Sequence, residues 1–100
     1  MRARACQDDD AFLRCRYPGG LYGGGVFGGK EAQLMALAAS AGIKCEYCIL
    51  AHTAMARAAG ATDNEIAAAV MMAAEIQFRS TILHGNEYSQ EKLRKMVTGG

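Results

Sequence analysis

The stretch Gly60-Ala61-Thr62-Asp63-Asn64-Glu65-Ile66 marks the end of one helix and the start of another. Gly60 is the expected C-terminal stop of the first helix, because glycine readily adopts the left-handed conformation that often follows a last turn. Thr62 and Glu65 have the spacing of a capping box, with Thr62 as the N-cap and Glu65 reaching back to its backbone. The stretch therefore predicts two consecutive helices joined by a short turn.

The helix that starts at Asp63 is predicted to run to about Leu83. Apolar side chains recur along it with helical spacing, at Ile66, Val70, Ala73, Ala74 and Ile76 or Gln77. The uninterrupted run from Val70 to Ala74 indicates burial on more than one side, which fits a subunit interface.

Further helices are predicted before Gly60 and after Leu83. No segment has the sustained period-2 alternation of a strand. Their predicted bounds are Lys30 to Ala41, ended by Gly42; Lys44 and Cys45 to about Ala59; and Ser89 to Val97. The fold class is therefore all-α. A domain of 100 residues is short of core volume, and oligomerisation is a common remedy.

Composition divides the chain into a glycine-rich N-terminal arm over 1–29 and a helical domain over 30–100. Seven of the 12 glycines fall between Gly19 and Gly29, and glycine at that density does not hold a helix or strand unaided. We expect either an extended arm that docks on a neighbouring subunit through Tyr17, Tyr22 and Phe27, or a disordered segment.

Charge and hydropathy exclude several functional classes. The 11 basic and 10 acidic residues give a formal net charge of +1, without the clustered positive charge of a nucleic-acid-binding surface. No uninterrupted apolar run reaches the ~20 residues of a membrane span. Acidic residues from Asp8 to Asp10 follow Arg2 and Arg4 with no apolar segment, so we recognise no secretory signal and expect a cytoplasmic protein.

The segment from Cys45 to His52 has the spacing Cys-x-x-Cys-x-x-x-His. On a helix, Cys45, Cys48 and His52 lie along one stripe, so the thiols can close or reopen a disulfide while the imidazole carries the proton. In a cytosolic chain such a pair is more often a redox or metal centre than a structural bridge. Cys45, Cys48 and His52 are the predicted catalytic residues, and this chemistry needs no cofactor.

The reactive species is the thiolate, which a helix N-terminus or a neighbouring imidazolium stabilises. Cys45 is expected in the first turn, where unpaired amides favour negative charge, whereas Cys48 has His52 one turn beyond it. Position favours Cys45 as the more acidic thiol and the partnership with His52 favours Cys48, so the order of attack stays open.

Two alternatives remain for these residues. The cysteines and His52 could be inert core residues, or they could bind zinc with the distant His84, although structural zinc sites usually combine two separate ligand turns. Tyr47 is either a hydrogen-bond donor to the site or an interface residue. Cys6 and Cys15 lie in the arm with no base nearby and receive no role.

These motifs resemble the AhpD-like branch of the carboxymuconolactone decarboxylase family. The resemblance covers about residues 30–85 and rests on three segments in the expected order: Gln33 to Ala41, Cys45 to Thr53 and Gly60 to Ile66. It implies an all-helical subunit that assembles as a trimer or as a hexamer of paired trimers. It also implies alkylhydroperoxidase activity, in which the cysteine pair cycles between dithiol and disulfide, assisted by the histidine.

The resemblance also implies partners. In this branch electrons come from a lipoylated protein and can pass to a peroxiredoxin, and the substrate is a small hydroperoxide. We expect no nucleic acid and no membrane. The site should lie in a small apolar pocket that a neighbouring subunit partly closes.

Two residues depart from the family pattern. Gln33 stands where the pattern has a glutamate, and Tyr47 stands where the best-known hydroperoxidases have a histidine. The proton relay of those enzymes is therefore incomplete here. This leaves a second interpretation of the chain, a redox-sensing or disulfide-exchange protein without efficient peroxidase turnover.

Overall fold

The structure, a computed structural model, describes residues 21–22 and 25–99, which contain four α-helices. Helix α1 spans Gly29–Ile43, α2 spans Glu46–Ala58, α3 spans Asp63–Gly85 and α4 spans Gln90–Thr98. No strand occurs among these residues, so the predicted all-α fold class is confirmed. Most of the predicted N-terminal arm, with Cys6, Cys15 and Tyr17, lies outside the described residues, and the division at residue 30 stays a prediction.

Helix α1 ends two residues later than predicted. The helix continues through Gly42, and it is Lys44 that takes the left-handed conformation, with φ of 61°. The N–H of Lys44 donates to the carbonyl of Ala41 at 3.2 Å, and the N–H of Cys45 donates to the carbonyl of Ser40 at 3.0 Å. These two bonds form a Schellman motif centred on Lys44. The prediction at Gly42 was wrong because the closing hydrogen bonds, and not the glycine, decide where the helix ends.

Helix α2 begins and ends close to its predicted bounds. Cys45 is its N-cap, and Lys44 belongs to the turn before it. At the other end Gly60 has φ of 98°, and the N–H of Ala61 donates to the carbonyl of Ala56 at 2.9 Å. Gly60 is the stop after α2, as predicted, because a residue without Cβ adopts this backbone conformation without steric cost.

Helix α3 begins with the predicted capping box. The hydroxyl of Thr62 accepts the N–H of Glu65 at 3.1 Å, and Oε1 of Glu65 accepts the N–H of Thr62 at 2.9 Å. Helix α4 begins one residue later than predicted, because Ser89 is its N-cap and accepts the N–H of Lys92 at 3.2 Å. Side-chain caps thus set the starts of both helices.

The hydrophobic core lies where α1 contacts α2 and α3. Its buried members are Leu37, Ala56, Ile66 and Ala69, with Leu34, Ala38, Ile49 and Ala61 packed around them. Two of the four buried members are alanines, which allow the helix axes to approach closely. Because α1 packs against both α2 and α3, its side chains have fixed positions relative to the start of α2.

Helix α3 leaves many large apolar side chains exposed. These are Val70, Met71, Met72, Ile76, Phe78 and Ile82. Within the run from Val70 to Ala74, only Ala73 is buried. The burial predicted on more than one side is therefore absent within the single chain, and the subunit interface that would supply it stays a prediction.

The same helix is long and apolar enough to cross a membrane, judged by length and composition alone. Helix α3 has 23 residues, and an 18-residue window within it reaches a mean hydropathy of 1.3. The search for uninterrupted apolar runs does not identify this helix, because Glu75 and Arg79 interrupt its apolar sequence. These two side chains form an ion pair near its middle.

Candidate redox site

The predicted cysteine pair lies at the start of α2. Cys45 is the N-cap of the helix, and Cys48 lies in its first turn. Their Cα atoms are 5.2 Å apart, and the two sulfur atoms form a disulfide bond. One turn of helix therefore brings both thiols to bonding distance, and the Schellman motif at Lys44 decides where that turn begins.

The sulfur of Cys45 occupies the position of a helix-capping atom. Its Sγ accepts the N–H of Cys48 at 3.2 Å, a role that an oxygen of Ser, Thr or Asp fills in most helices. After reduction, this amide and the positive end of the helix dipole stabilise a thiolate at Cys45. Cys45 was predicted one position further inside the helix, and the N-cap is the more effective position because the sulfur accepts an amide directly.

His52 lies one turn beyond Cys48 and contacts helix α1. Its Nδ1 atom is 2.7 Å from Oε1 of Gln33, and Gln33 is only 7% exposed. The imidazole itself is half-buried. The glutamine that departs from the family pattern is therefore part of the site, in direct contact with the predicted acid/base.

Tyr22 covers the imidazole of His52 from the segment before α1. The centroids of the two rings are 5.3 Å apart, and the ring planes are tilted by 39°. Tyr22 and Leu21 also line a cavity of about 260 Å³ over α1. The sequence predicts Tyr22 in an arm that is either docked on a neighbouring subunit or disordered, and it does not predict this contact, because no spacing rule connects residues so far apart.

A hydrogen-bonded brace from α3 holds the turn before the cysteine pair. Nε2 of Gln77 donates to the carbonyl of Gly42 at 2.5 Å, and Nζ of Lys44 donates to Oε1 of Gln77 at 3.1 Å. Gln77 had been grouped with the apolar face of α3. The signal that could have identified its role is a polar side chain within an apolar stripe. The position of the cysteine pair thus depends on α3 as well as on α1.

Several apolar side chains close to the cysteine pair in sequence are exposed. Tyr47 is 87% exposed, Ile43 76% and Leu50 73%, whereas Cys45 and Cys48 are half-buried. Tyr47 projects into solvent, which fits its interpretation as an interface residue better than that of a donor to the site. The small apolar pocket closed by a neighbouring subunit stays a prediction.

His84 lies in a different part of the structure. It lines a cavity of about 430 Å³ where α3 ends and α4 begins, and neither Cys45 nor Cys48 lines that cavity. Among residues 21–22 and 25–99, no group of three or more His, Cys, Asp and Glu side chains is placed to hold a metal ion. The alternative zinc site with His84 is therefore not assembled there, and sulfurs bonded to each other are not available as thiolate ligands.

An ion pair links α1 to the start of α3. Nζ of Lys30 lies 3.0 Å from Oε2 of Glu65. The pKa of Glu65 is lowered, chiefly by the hydrogen bond from the backbone N–H of Thr62 and next by the hydrogen bond from Lys30. The pKa of Lys30 is raised, chiefly by its hydrogen bond with Glu65. Lys30 lies one turn before Gln33, so this pair helps to hold α1 beside the site.

The helical fold agrees with comparison to known proteins. The chain belongs to the carboxymuconolactone decarboxylase family, whose sequence profile matches residues 13–91. Members of this family are decarboxylases or alkylhydroperoxidases. The matched region begins well before residue 30, where the resemblance in motifs starts, so it includes part of the predicted arm.

A protein of Paracoccus denitrificans described as "Uncharacterized protein 4 in cox locus" is similar to this chain. The two are 33% identical over 79 residues, which cover 79% of this chain and 69% of that protein. No solved structure matches the chain significantly. Assignment within the family therefore depends on the chemistry of the site.

Proposed function

We propose that the chain is a thiol-dependent hydroperoxide reductase of the AhpD-like branch. The observation that carries this proposal is the Cys45–Cys48 disulfide at the N-terminus of α2, with His52 one turn beyond it. The amide N–H that Cys45 accepts is the kind of support that a reactive thiolate needs. The decarboxylase branch of the family lacks this cysteine pair, so its presence favours the redox branch.

The proposed cycle balances with one hydroperoxide and one dithiol. A thiolate of the reduced pair attacks the peroxide, the O–O bond breaks, and the sulfur becomes a sulfenic acid while the departing alkoxide takes a proton. The second thiol then displaces water from the sulfenic acid and forms the Cys45–Cys48 disulfide. A dithiol donor returns two electrons and two protons by exchange through a mixed disulfide. The products are an alcohol, water and the oxidised donor.

Each of the three residues has a distinct role in this cycle. Cys45 gives the thiolate that the Cys48 amide stabilises, which also makes it a good leaving group when the disulfide is reduced. His52 accepts the proton of Cys48, one turn before it, and returns a proton to the alkoxide. Trapping of a sulfenic acid in Cys45→Ser and in Cys48→Ser shows which sulfur attacks the peroxide.

The proposal includes the partners that the branch implies. These are a lipoylated protein as reductant, a peroxiredoxin as electron acceptor, and further copies of the chain in a homotrimer or homohexamer. Exposed apolar surface supports contact with other proteins in general. Ile43, Tyr47 and Leu50, which are close to the cysteine pair in sequence, offer exposed apolar surface to a redox partner, and the exposed apolar side chains of α3 suit subunit contacts. A cytoplasmic location fits a pair that must be reduced in every cycle.

Gln33 favours a second candidate, a disulfide-exchange or redox-sensing protein without efficient peroxidase turnover. An amide oxygen accepts a hydrogen bond from His52 but does not take up its proton. A proton relay to an alkoxide therefore has one proton-carrying group fewer, because Gln33 cannot take up a proton. Thiol–disulfide exchange can proceed without that group.

Hydroperoxide consumption with dihydrolipoamide as donor tests the two candidates. Wild type should turn over, Cys48→Ser should abolish turnover, and His52→Ala should reduce it by roughly 10²–10⁴-fold. His84→Ala is the matched control, because His84 lines a cavity that neither cysteine lines, and it should keep wild-type turnover. Absence of turnover in wild type, with a disulfide that forms and is reduced reversibly, supports the second candidate. A disulfide that dithiols do not reduce contradicts both.

A further inference from the structure

We infer that Gln33 is a positioning residue that holds neutral His52 as the Nδ1-protonated tautomer and leaves Nε2 as its basic nitrogen. The inference rests on the proposed function, because it assigns the nitrogen with which His52 serves the cysteine pair. It concerns a position where this chain has an amide in place of the family's carboxylate.

The hydrogen bond between the two side chains decides the tautomer. Oε1 of Gln33 lies 2.7 Å from Nδ1 of His52. An amide oxygen has lone pairs and no proton, so it only accepts. The imidazole must therefore donate from Nδ1, and in its neutral form the lone pair is on Nε2.

Burial keeps Gln33 in this contact. Its side chain is 7% exposed, and Leu37, one turn further along α1, is fully buried in the core. Rotation of the amide away from His52 would leave a buried polar group without its partner, which is unfavourable. The ring of Tyr22 against the imidazole further restricts how His52 can turn.

The surroundings of His52 contain no competing carboxylate contact among the described residues. Tyr22 lies over the ring, and Cys48, which is bonded to Cys45, lies one turn before His52 on α2. On α1, Glu31 is the charged residue closest to Gln33 in sequence, and it is exposed. Lys30 of α1 and Glu65 of α3 are paired with each other. Gln33 thus orients the imidazole without adding negative charge to it.

A neutral orienting group has a chemical consequence. A carboxylate at position 33 would accept the same hydrogen bond and, in addition, favour the imidazolium. With Gln33, the same hydrogen bond orients Nε2 of His52 without placing a negative charge beside the imidazole. Gln33 therefore fixes which nitrogen of His52 accepts a proton.

Nitrogen-15 NMR of the imidazole side chains in the oxidised protein tests the inference. In wild type, Nδ1 of neutral His52 should carry the proton. Gln33→Glu should keep that tautomer, because a carboxylate oxygen retains the hydrogen-bond acceptor. Gln33→Met, which has similar length and no strong acceptor, should shift the neutral form towards Nε2–H. The signals of His84 serve as the internal control and should not move.

Two results would overturn the inference. The first is a wild-type His52 protonated at Nε2, which means that the amide of Gln33 donates to Nδ1. The second is an unchanged tautomer in a folded Gln33→Met variant. Because the spectra do not depend on turnover, an inactive wild type with the Nδ1–H tautomer contradicts the proposed function and leaves the inference standing.

Discussion

Lys44 precedes the redox cysteines in a left-handed backbone conformation, and its ammonium group donates a hydrogen bond to Gln77 of α3 at 3.1 Å. A long side chain at positive φ is uncommon and costs free energy, and such residues persist where surrounding contacts hold them. Here the holding contacts are the Schellman bonds at the end of α1 and the brace from Gln77. The conformation of Lys44 therefore sets the place where α2, and with it Cys45, begins.

Comparison of Lys44→Gly with Lys44→Ala isolates the backbone cost. Both variants lose the hydrogen bond to Gln77, but only glycine adopts the left-handed conformation without strain. We expect Lys44→Gly to be more stable than Lys44→Ala by about 1 kcal/mol, measured by urea unfolding. Equal stabilities would show that position 44 is not left-handed in solution.

Removal of the Tyr22 ring should make His52 more accessible. Tyr22→Ala takes away the side chain that lies 5.3 Å from the imidazole, so diethyl pyrocarbonate should modify His52 faster than in wild type. The rate is followed by mass spectrometry of the peptide that contains His52. Tyr47→Ala is the control, because Tyr47 is 87% exposed and its removal should leave the rate unchanged. Equal rates in wild type and Tyr22→Ala would contradict the contact.

The free energy of unfolding should decrease in acid because Glu65 of the capping box becomes protonated. Its pKa is lowered from 4.5 in the folded chain, chiefly by the hydrogen bond from the Thr62 N–H, so the folded state favours the carboxylate. A carboxyl group whose pKa is lower in the folded state than in the unfolded state stabilises the fold. This stabilisation is fully present above the unfolded-state pKa and is lost as the pH falls through the folded-state pKa.

Glu65→Gln checks the sign of this effect. Glutamine can still accept the capping hydrogen bond but has no charge to lose. We expect wild type to be the more stable protein near neutral pH, and the difference to narrow as the pH falls below 4.5. Unfolding free energies at several pH values give the difference. A difference in unfolding free energy that grows as the pH falls would contradict the prediction.

The helices and their caps could be predicted because their signals are local. The capping box joins Thr62 to a residue three positions away, and Gly60 ends α2 through its own backbone conformation. Local signals misled at Gly42, where composition suggested a stop. The pair of hydrogen bonds that closes α1 falls two residues later, and a lysine in the left-handed position has no signature in the sequence.

Part of the candidate site was predictable for the same reason. Cys48 and His52 are on one helix and Cys45 is its N-cap, so their spacing alone predicted that they lie close together. The residues that contact them are on other elements. Gln33 was noticed only as a departure from a family pattern, and Tyr22 and Gln77 were assigned to other roles.

The sequence by itself determined the all-α fold class, the order of the helices and the cysteine pair one turn apart, because each depends on residues within a few positions of one another. Only the tertiary structure decided that Gln33 bonds to His52 across 19 residues and that Gln77 reaches Gly42 across 35. Such contacts exist because Leu37, Ala56, Ile66 and Ala69 pack α1 against its two neighbours. Helix propensity and spacing do not specify which helix packs against which. The packing of this small core decides it.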